Sequence, residues 1–190
     1  MRRVRYSVAM SLDGYLAGPN GEADWILMDP DIDFGAIFKQ FDTLLMGRRT
    51  FEATGARGGA SSGPFAGMTV VVASRTLRQA DHPKVTVIGA NLADEVAAMK
   101  QRDGKDIWLF GGGDLFRSLL DANLVDGVDV AVIPVLLGQG IPFLPSRTAR
   151  ASLTLTSHRV YEKTGTVALE YDVAPAAARR AKPRRRAGPR

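Results

Sequence analysis

Two turns of the sequence combine glycine with groups that bind phosphate. The first begins at Gly47, which follows the apolar run Thr43–Met46 and allows an anion to approach the main chain closely. The residues after it add charge-assisted and hydroxyl donors, Arg48, Arg49 and Thr50. A glycine turn with solvated arginines would have the same spacing, so the sequence allows either a phosphate site or a purely structural turn.

The second turn contains three consecutive glycines, Gly111–Gly113, after the apolar run Ile107–Phe110. The three glycines remove every side chain from the start of the next helix, which suits a diphosphate lying against the main chain. The turn lacks the G-x-G-x-x-G pattern of Rossmann folds and the Gly-Lys-Ser/Thr of a P-loop. A structural glycine corner is the alternative interpretation.

A third candidate, Ser74–Arg75, ends the β-forming run Thr69–Ala73 with a hydroxyl and a guanidinium. This pair suits a monoester phosphate such as the 2′-phosphate of NADP. The alternative is an arginine that contacts only solvent.

Three carboxylates are candidates for substrate binding or proton transfer. Asp33 opens a predicted helix, Asp33–Phe41, one turn before Ile37, and could bind a ring N–H and relay a proton. Asp31 fits an exposed first-turn acid, and Asp13 could simply cap a turn. Asp33 could equally be a plain helix-start acid. The two histidines are isolated and cysteine is absent, so we expect no metal site.

The composition predicts one folded domain. Its 190 residues are 45% hydrophobic and 24% charged, which is close to the average for soluble proteins. No apolar segment is long enough to span a membrane, and the lack of cysteine favours the cytoplasm. The net charge of +5 arises in residues 175–190, which hold seven of the 25 basic residues and no acid. We expect residues 1–174 to form the domain and 175–190 a disordered tail, either solvated or weakly bound to polyanions.

Apolar periodicity predicts strands that alternate with helices. Val4–Met10 alternates as a strand does, and Thr69–Ala73 and Val85–Ile88 are further β runs. Residues with helical spacing follow each of three positions: the first glycine turn, Asn91, which is a predicted N-cap, and the triple glycine. Strands separated by helices imply a mixed, mainly parallel sheet with helices on both faces.

The end of the folded region has a different pattern. The β run Val128–Leu137 is broken by Pro134, which indicates a bulge or an edge. Leu153–Tyr161 and Thr166–Val173 alternate on either side of Lys163–Gly165, which predicts an antiparallel hairpin. Two stretches rich in turn-forming residues are predicted to be loops, residues 13–24 and 55–67.

In this order, the segments resemble the dihydrofolate-reductase-like family, most closely the branch joining dihydrofolate reductase to the reductase domain of the riboflavin-pathway deaminase/reductase. The resemblance covers about residues 3–173 and rests on Ala9–Gly14, Asp24–Ile26, Met46–Phe51, Gly111–Gly113 and Pro134–Phe143. It implies a three-layer fold with an eight-stranded mixed sheet and NADPH bound across the strand ends.

The resemblance also assigns cofactor contacts. Phosphate groups would be held by Gly47, Arg48, Arg49 and Thr50, and the adenosine 2′-phosphate by Ser74 and Arg75. The diphosphate would lie against Gly111, Gly112, Gly113, Asp114, Leu115 and Phe116, with Ala9 and Leu16 beside the nicotinamide. The implied reaction is hydride transfer from NADPH to a C=N or C=O carbon, with a proton delivered nearby.

For the substrate, Asp33 falls near the substrate-binding carboxylate of dihydrofolate reductase, so we expect it to be catalytic. Further substrate contacts are expected from Asp13, Trp25, Asp31 and Ile37. The segment Pro134–Gly140 is similar to the riboflavin-type branch, whereas Met46–Phe51 looks like dihydrofolate reductase. Where the riboflavin-type branch carries a lysine that serves the ribose phosphate, this chain has Ser7.

The sequence therefore predicts an NADPH-dependent reductase acting on a pyrimidine- or pterin-like ring. The nearest named activity is reduction of 5-amino-6-(5-phosphoribosylamino)uracil, and dihydrofolate reduction is the alternative. A non-enzymatic alternative is a nucleotide-binding protein whose tail binds polyanions. Relatives with this fold are often dimers, and the apolar strands at the end of the domain could supply a sheet edge, so we expect a homodimer.

Overall fold

A computed structural model of the chain describes residues 1–55, 65–146 and 150–174. The strands in these ranges are β1 (Val4–Ser11), β2 (Tyr15–Ala17), β3 (Phe41–Gly47), β4 (Thr69–Ala73), β5 (Thr86–Ile88), β6 (Asp106–Gly111), β7 (Gly127–Ile133), β8 (Ile141–Pro142), β9 (Leu153–Tyr161) and β10 (Thr166–Val173). The α-helices are α1 (Phe34–Phe38), α2 (Arg48–Ala53), α3 (Leu92–Gln101) and α4 (Gly113–Asp121).

Eight strands form one sheet in the order β5-β4-β3-β6-β1-β7-β10-β9. Neighbours from β5 to β7 are parallel, and β10 is antiparallel to both β7 and β9. Strands β2 and β8 form a second, two-stranded sheet. The mixed sheet, its helices and the β9–β10 hairpin confirm the predicted fold class.

Each face of the large sheet has its own hydrophobic core. On the α3/α4 face, Tyr6 of β1 stacks on Phe116 of α4, with ring centroids 3.9 Å apart. On the α1/α2 face, Trp108 of β6 packs against Phe38 and Phe41, at 5.6 and 5.1 Å. Burial of each such aromatic side chain stabilises the fold by about 2–3 kcal/mol, so both layers of helices are fixed to the sheet.

The first helix is shorter than the sequence predicts. Asp33–Phe41 was expected to be helical, but α1 ends at Phe38 and Phe41 begins β3. Phe41 is only 3% exposed and contacts Trp108 from within the sheet. The apolar residues with helical spacing therefore belong to two elements, α1 and β3. Burial of Phe41 in the sheet is more favourable than extension of a short helix.

The predicted β run Val128–Leu137 is also wrong at its end, because β7 stops at Ile133. Strand β7 lies between β1 and β10, so it is not an edge strand. Pro134 lacks the N–H that an internal strand must donate, and the ladder therefore ends before it. The chain beyond it turns away, with Leu12 donating a main-chain hydrogen bond to Val135 at 2.9 Å.

Two smaller differences concern local structure. Asn91 occupies the N-cap of α3 but has a left-handed conformation (φ 50°) and makes no capping hydrogen bond with its side chain. Strands β2 and β8, of three and two residues, are too short to give a sequence pattern.

Most of the loop predicted at residues 55–67, and the tail at 175–190, lie outside the described residues. Among the residues that are described, no helix has the length and apolar character needed to cross a membrane.

Candidate functional site

The three predicted phosphate-binding segments lie side by side at the carboxyl ends of neighbouring parallel strands. Gly47 at the end of β3 pairs with Ala73 at the end of β4, and Met46 pairs with Gly111 at the end of β6. Ser74 therefore follows β4 directly beside the first glycine turn. Strands β4, β3 and β6 are consecutive neighbours, so the row of three segments spans roughly 10 Å at about 4.8 Å per strand.

The two glycine turns face each other across a gap that side chains would fill. A Cβ atom at Gly47 would lie 3.9 Å from the main-chain nitrogen of Gly112. Cβ atoms at Gly111 and Gly112 would lie 3.4 and 3.6 Å from Oγ1 of Thr50. The hydroxyl of Thr50 thus lies beside bare main chain, so its oxygen and the main-chain groups of both turns are grouped closely enough for one anion to contact them.

The third glycine is required for a different reason. A Cβ atom at Gly113 would lie 2.8 Å from the carbonyl oxygen of Pro142 and 2.8 Å from Cδ of Pro145. Any side chain would displace this proline-containing segment or the first turn of α4. Gly113 therefore allows the segment at residues 142–145 to pack against the start of the helix.

Helix α4 presents main-chain donors at this position. Its N-cap, Gly112, has no side chain, and the N–H groups of Gly113, Asp114 and Leu115 belong to the first turn, where no intrahelical acceptor is available. The N–H of Phe116 is already donated to the carbonyl of Gly112 at 3.1 Å. The side chains of Leu115 and Phe116 are buried in the core, so they position the helix and leave the contact with an anion to the main chain.

Arginine and hydroxyl side chains surround the outer part of the row. The Arg48, Arg49 and Arg75 side chains are exposed. Oγ of Ser74 accepts hydrogen bonds from the N–H groups of Leu77 and Thr76 at 3.0 and 3.2 Å. Its hydroxyl hydrogen can still be donated to a ligand. The arrangement is suited to a nucleotide with phosphate groups at two points.

Asp114 works against this positive charge. Its carboxylate is exposed and lies 3.3 Å from a guanidinium nitrogen of Arg117, one turn further along α4. At this helix start, the carboxylate stabilises the helix dipole but repels a phosphate. Of the predicted cofactor residues, Asp114 is therefore suited to binding only through its main-chain N–H.

The predicted substrate residues Trp25, Asp31 and Asp33 lie on a long connection, residues 18–33, which runs from β2 to α1; we call it the covering loop. Asp29 in this loop is only 1% exposed. Its Oδ2 accepts hydrogen bonds from both N and Oγ1 of Thr164, each at 3.0 Å, in the turn between β9 and β10. Its Oδ1 accepts from the N–H of Asp31 at 2.9 Å. A buried carboxylate thus fastens the covering loop to the hairpin.

An exposed ion pair reinforces this contact. The Lys163 ammonium lies 2.8 Å from Oδ1 of Asp31. Burial would raise the pKa of Asp29, but the hydrogen bonds from Asp31 and Thr164, with the charge of Lys163, together hold it below its ordinary value. We call the Asp29–Thr164 contact the latch, and the Asp31–Lys163 pair the outer bridge.

Asp13 holds a second turn in place. Its Oδ1 accepts from Oγ of Ser11 at 2.6 Å and from N of Leu137 at 3.1 Å, and its Oδ2 accepts from N of Gly138 at 2.7 Å. The hydrogen bond from Ser11, followed by that from Gly138, lowers the pKa of Asp13. Its carboxylate is thus occupied in fixing the Leu137–Gly138 turn, and a direct substrate contact stays a prediction.

Asp33 caps a helix. Its Oδ1 accepts the N–H of Ala36 at 2.8 Å, and the side chain is exposed at the start of α1. Trp25 donates its indole N–H to the carbonyl of Glu22 at 3.1 Å, and Ile37 packs against the α1/α2 core. Capping uses one carboxylate oxygen of Asp33, and its catalytic role stays a prediction.

A group of small side chains lies on one face of β1, β7 and β10, beside the row of glycine turns; we call it the small-residue floor. Alternation along β1 directs Ser7 and Ala9 to the α1/α2 face, because Tyr6 and its neighbours of the same parity pack on the opposite side. Ala9 pairs with Ala131 of β7, which pairs with Ala168 of β10. These four small residues are only half-buried although β1 and β7 are internal strands. Their side chains are therefore partly accessible on this face beside Ala9, the residue predicted to lie near a nicotinamide.

Several of these residues were missed by the sequence analysis. Asp29 is followed by proline, a turn signal that predicts a bend but gives no partner. Lys163 and Thr164 were interpreted only as a hairpin turn, and Ala131 and Ala168 only as strand residues. Their roles depend on contacts between distant segments, which no local pattern reveals.

Comparisons with known proteins agree with this geometry. The chain matches the model of the RibD C-terminal domain family over residues 2–167. It is 34% identical over 179 residues to the uncharacterized protein YyaP of Bacillus subtilis (strain 168), covering 90% of this chain and 94% of YyaP.

Among solved structures, it is similar to a candidate riboflavin biosynthesis protein from Shewanella sp. PV-4, with a TM-score of 0.76 and 25% identity, covering 92% of this chain and 100% of that one. It also shares its fold with dihydrofolate reductase from Enterococcus faecalis, solved with NADP(H), at a TM-score of 0.63 and 21% identity, covering 90% and 94% of the two chains.

The fold and the row of glycine turns define a dihydrofolate-reductase-like protein, as the sequence resemblance implied. More particularly, the chain belongs to the RibD C-terminal domain family.

Proposed function

We propose that the protein is an NADPH-dependent reductase of a pyrimidine- or pterin-like ring. The observation that carries this proposal is the pair of opposed glycine turns, where the missing Cβ atoms leave the main chain bare beside the Thr50 hydroxyl and the start of α4. Membership of a reductase-type family and the NADP(H) bound to the Enterococcus faecalis relative support the choice of cofactor.

In this proposal, NADPH would supply a hydride when bound, and the chain would position both reactants. Gly47, Thr50 and the first turn of α4 would hold the diphosphate. Arg48, Arg49, Ser74 and Arg75 would bind the remaining phosphate and select NADPH over NADH. Ala9 and Leu16 would border the reactive ring. The substrate would lie on the small-residue floor, below the covering loop that carries Trp25, Asp31 and Asp33 and leads to Ile37.

The reaction would add a hydride to carbon and a proton to the neighbouring atom of a C=N or C=O bond. Asp33 is the proposed proton donor or relay, because its second carboxylate oxygen is not needed for capping Ala36. The nearest named activity is reduction of 5-amino-6-(5-phosphoribosylamino)uracil, and dihydrofolate reduction is the alternative. Ser7 on the floor offers a hydroxyl where the riboflavin-type branch would place a lysine, which favours a substrate without a phosphate at that point.

The first test is a titration of the purified chain with NADPH and, separately, NADH, followed by nicotinamide fluorescence. We expect a preference for NADPH that shrinks at least fivefold when Arg48 or Ser74 is replaced by alanine. Equal weakening of both cofactors would remove the 2′-phosphate assignment. If neither cofactor binds, the reductase proposal fails and the glycine turns are structural.

The Asp33 assignment is tested separately. Asp33→Asn keeps a side chain that caps helices well, so α1 should persist. Turnover should fall while NADPH binding stays the same. An unchanged rate would remove Asp33 from the mechanism.

We further propose a cytoplasmic homodimer that associates through β9. This strand is the edge of the sheet, and Leu153, Leu155 and Val160 are 44%, 49% and 57% exposed on it. A long, exposed, apolar edge strand is a pairing surface in water. Light scattering should show a dimer that Val160→Lys converts to monomer, whereas Glu162→Lys in the adjoining turn should not. A monomeric wild-type chain would exclude this arrangement.

The non-enzymatic alternative assigns binding to the tail at residues 175–190. Truncation after Val173 separates the two functions. A truncated chain that loses polyanion binding and still binds NADPH would show that the tail is an accessory.

A further inference from the structure

A charged pair lies at the inner end of the small-residue floor. Asp129 of β7 pairs in register with Ser7, two residues before the Ala9–Ala131 pair and on the same face. Oδ2 of Asp129 is 3.0 Å from Nε and 2.7 Å from an Nη atom of Arg5. Both side chains are largely buried, at 14% and 13% exposure. A strand rises about 3.3 Å per residue, so the carboxylate lies roughly 7 Å along the floor from Ala9.

Arg5 has enough partners without a second oxygen of Asp129. Its guanidinium donates to Oε1 of Gln40 at 2.6 Å and lies 3.6 Å from a carboxylate oxygen of Asp106. It also lies over the ring of Phe41, 5.0 Å from the centroid. Arg5 is therefore fixed from several sides, and it holds Asp129 by Oδ2 alone.

The other oxygen of Asp129, Oδ1, has no hydrogen-bond partner among the residues that the structure describes. Burial raises the pKa of Asp129 to about 6, against the lowering effect of Arg5, and the carboxylate of Glu170 on β10 adds to the rise. A largely buried carboxylate oxygen without a protein donor leaves a hydrogen-bonding position that a ligand N–H can fill.

We propose that Asp129 is a specificity-determining residue, whose Oδ1 accepts an N–H from the edge of a nitrogen heterocycle lying on the floor of Ser7, Ala9, Ala131 and Ala168. The floor has the length of one such ring between Ala9 and Asp129, and its side chains are no larger than a hydroxymethyl group. The substrate class is thus a compound with a nitrogen ring that has an N–H or amino group on the side opposite the C=N or C=O bond that accepts the hydride. This inference rests on the proposed function for the direction of the ring, while the binding test below does not require NADPH.

A purely structural ion pair would also place Asp129 beside Arg5. That role is shared with Asp106, which faces the same guanidinium from β6. Replacing either carboxylate by its amide removes one negative charge from the surroundings of Arg5. Of these two carboxylates, only Asp129 lies in register with the floor residue Ser7.

The probe is uracil, which carries two ring N–H groups and keeps its charge between pH 5 and 8; 1,3-dimethyluracil is the matched control, because it lacks both donors. Binding to the full chain is followed by NMR titration at pH 7.5. We expect uracil to bind more tightly than the dimethyl compound. Asp129→Asn should weaken uracil binding about tenfold. Because the Arg5 guanidinium can only donate hydrogen bonds, it would bind the amide oxygen of the asparagine, and the amide NH₂ would then face the N–H of the ring, which is also a donor. Asp106→Asn should change it by less than twofold.

If Asp129→Asn does not fold, the wild-type chain tests the same point. Uracil binding should weaken as the pH falls through about 6, where Asp129 gains its proton. Arg3 and Arg5 are the cations that act on Asp129, Asp106 contacts a different nitrogen of Arg5, and Glu170→Gln shows whether the neighbouring carboxylate causes the effect. A flat profile, equal binding of the two uracils, or equal effects of Asp129→Asn and Asp106→Asn would overturn the proposal. NADPH titration of Asp129→Asn should match wild type, so failure of the cofactor assignment is seen separately.

Discussion

The proposed cofactor side and the proposed substrate side of the site are built in different ways. On the proposed cofactor side, main-chain groups and missing side chains do the positioning, and each contributing segment is a short run of consecutive residues, as in Gly111–Gly113. On the substrate side, carboxylates join segments far apart in the chain: Asp29 and Thr164 are 135 positions apart, and Asp13 and Gly138 are 125 apart.

This difference has a physical basis. A diphosphate has the same shape in every substrate context, so a fixed main-chain site at strand ends can bind it. A covering loop has few buried apolar contacts of its own and must be held by specific polar groups. We therefore expect that added side-chain volume will weaken ligand binding on the proposed cofactor side. On the proposed substrate side, we expect that removal of hydrogen bonds will release the covering loop.

The largest effect should follow Gly113→Ala. The new methyl group would lie 2.8 Å from both Pro142 and Pro145, so the first turn of α4 or the proline segment must move. We expect a loss of about 1–3 kcal/mol in the free energy of unfolding and at least tenfold weaker NADPH binding. Denaturant unfolding and nicotinamide fluorescence measure the two effects.

The matched control is Gly89→Ala, whose Cβ would make an ordinary 3.6 Å contact with the carbonyl of Ser74. Its stability should stay within about 0.5 kcal/mol of wild type. If Gly113→Ala binds NADPH as wild type does, close packing at the start of α4 does not shape the cofactor side.

A smaller, local effect should follow Thr164→Val, which removes the hydroxyl donor of the latch but keeps the side-chain shape. Asp29 would retain the N–H of residue 164 and lose one of its buried hydrogen bonds. Hydrogen exchange of the covering loop should rise several-fold, while exchange in α4 stays unchanged. Unaltered exchange in the loop would show that other contacts hold it.

The pH dependence of the latch follows from its lowered pKa. A carboxylate with a lowered pKa stabilises the folded state above its unfolded pKa of 3.8 and loses that contribution as the pH falls through the folded value. The covering loop should therefore keep its protection at pH 5 and lose it only at more acidic pH. Loss of protection already between pH 7 and 5 would contradict the assignment to Asp29.

Asp129 should show the opposite sign. Its folded pKa, about 6, is above the ordinary 3.8, so the folded state binds this proton more tightly and gains stability as the pH falls. Between pH 7 and 5 the gain is on the order of 1 kcal/mol. Subtracting the profile of Asp129→Asn isolates this contribution, and parallel profiles would show that Asp129 keeps an ordinary pKa beside Arg5, Arg3 and Glu170.

The same contrast explains which parts of the molecule could be predicted from sequence. The fold class, the strand ends and both glycine turns depend on local patterns: apolar alternation in β1, or three consecutive glycines after β6. The errors occurred where tertiary packing decides, as at Phe41, which shares helical spacing with α1 but is buried in β3. Pro134 was recognised as an interruption, but whether it marked an edge depended on the position of β10.

On the substrate side, residue type alone was a weaker guide. Asp13, Asp31 and Asp33 were singled out because they precede turns or helices, and the structure gives each a local partner or an ion pair. The two buried carboxylates, Asp29 and Asp129, went unnoticed since neither lies in a recognisable motif. Burial is a property of the whole fold, and it determines which carboxylate has a perturbed pKa.

The smallest effect should follow Lys163→Met, which breaks the outer bridge but leaves the latch intact. Lys163 and Asp31 are 60% and 52% exposed, so water and salt screen their attraction. We expect no measurable change in melting temperature and unchanged hydrogen exchange of the covering loop at physiological salt. An effect as large as that of Thr164→Val would transfer the holding role from the buried carboxylate to the exposed pair, because both variants act on the same loop and turn and differ mainly in the burial of the contact they remove.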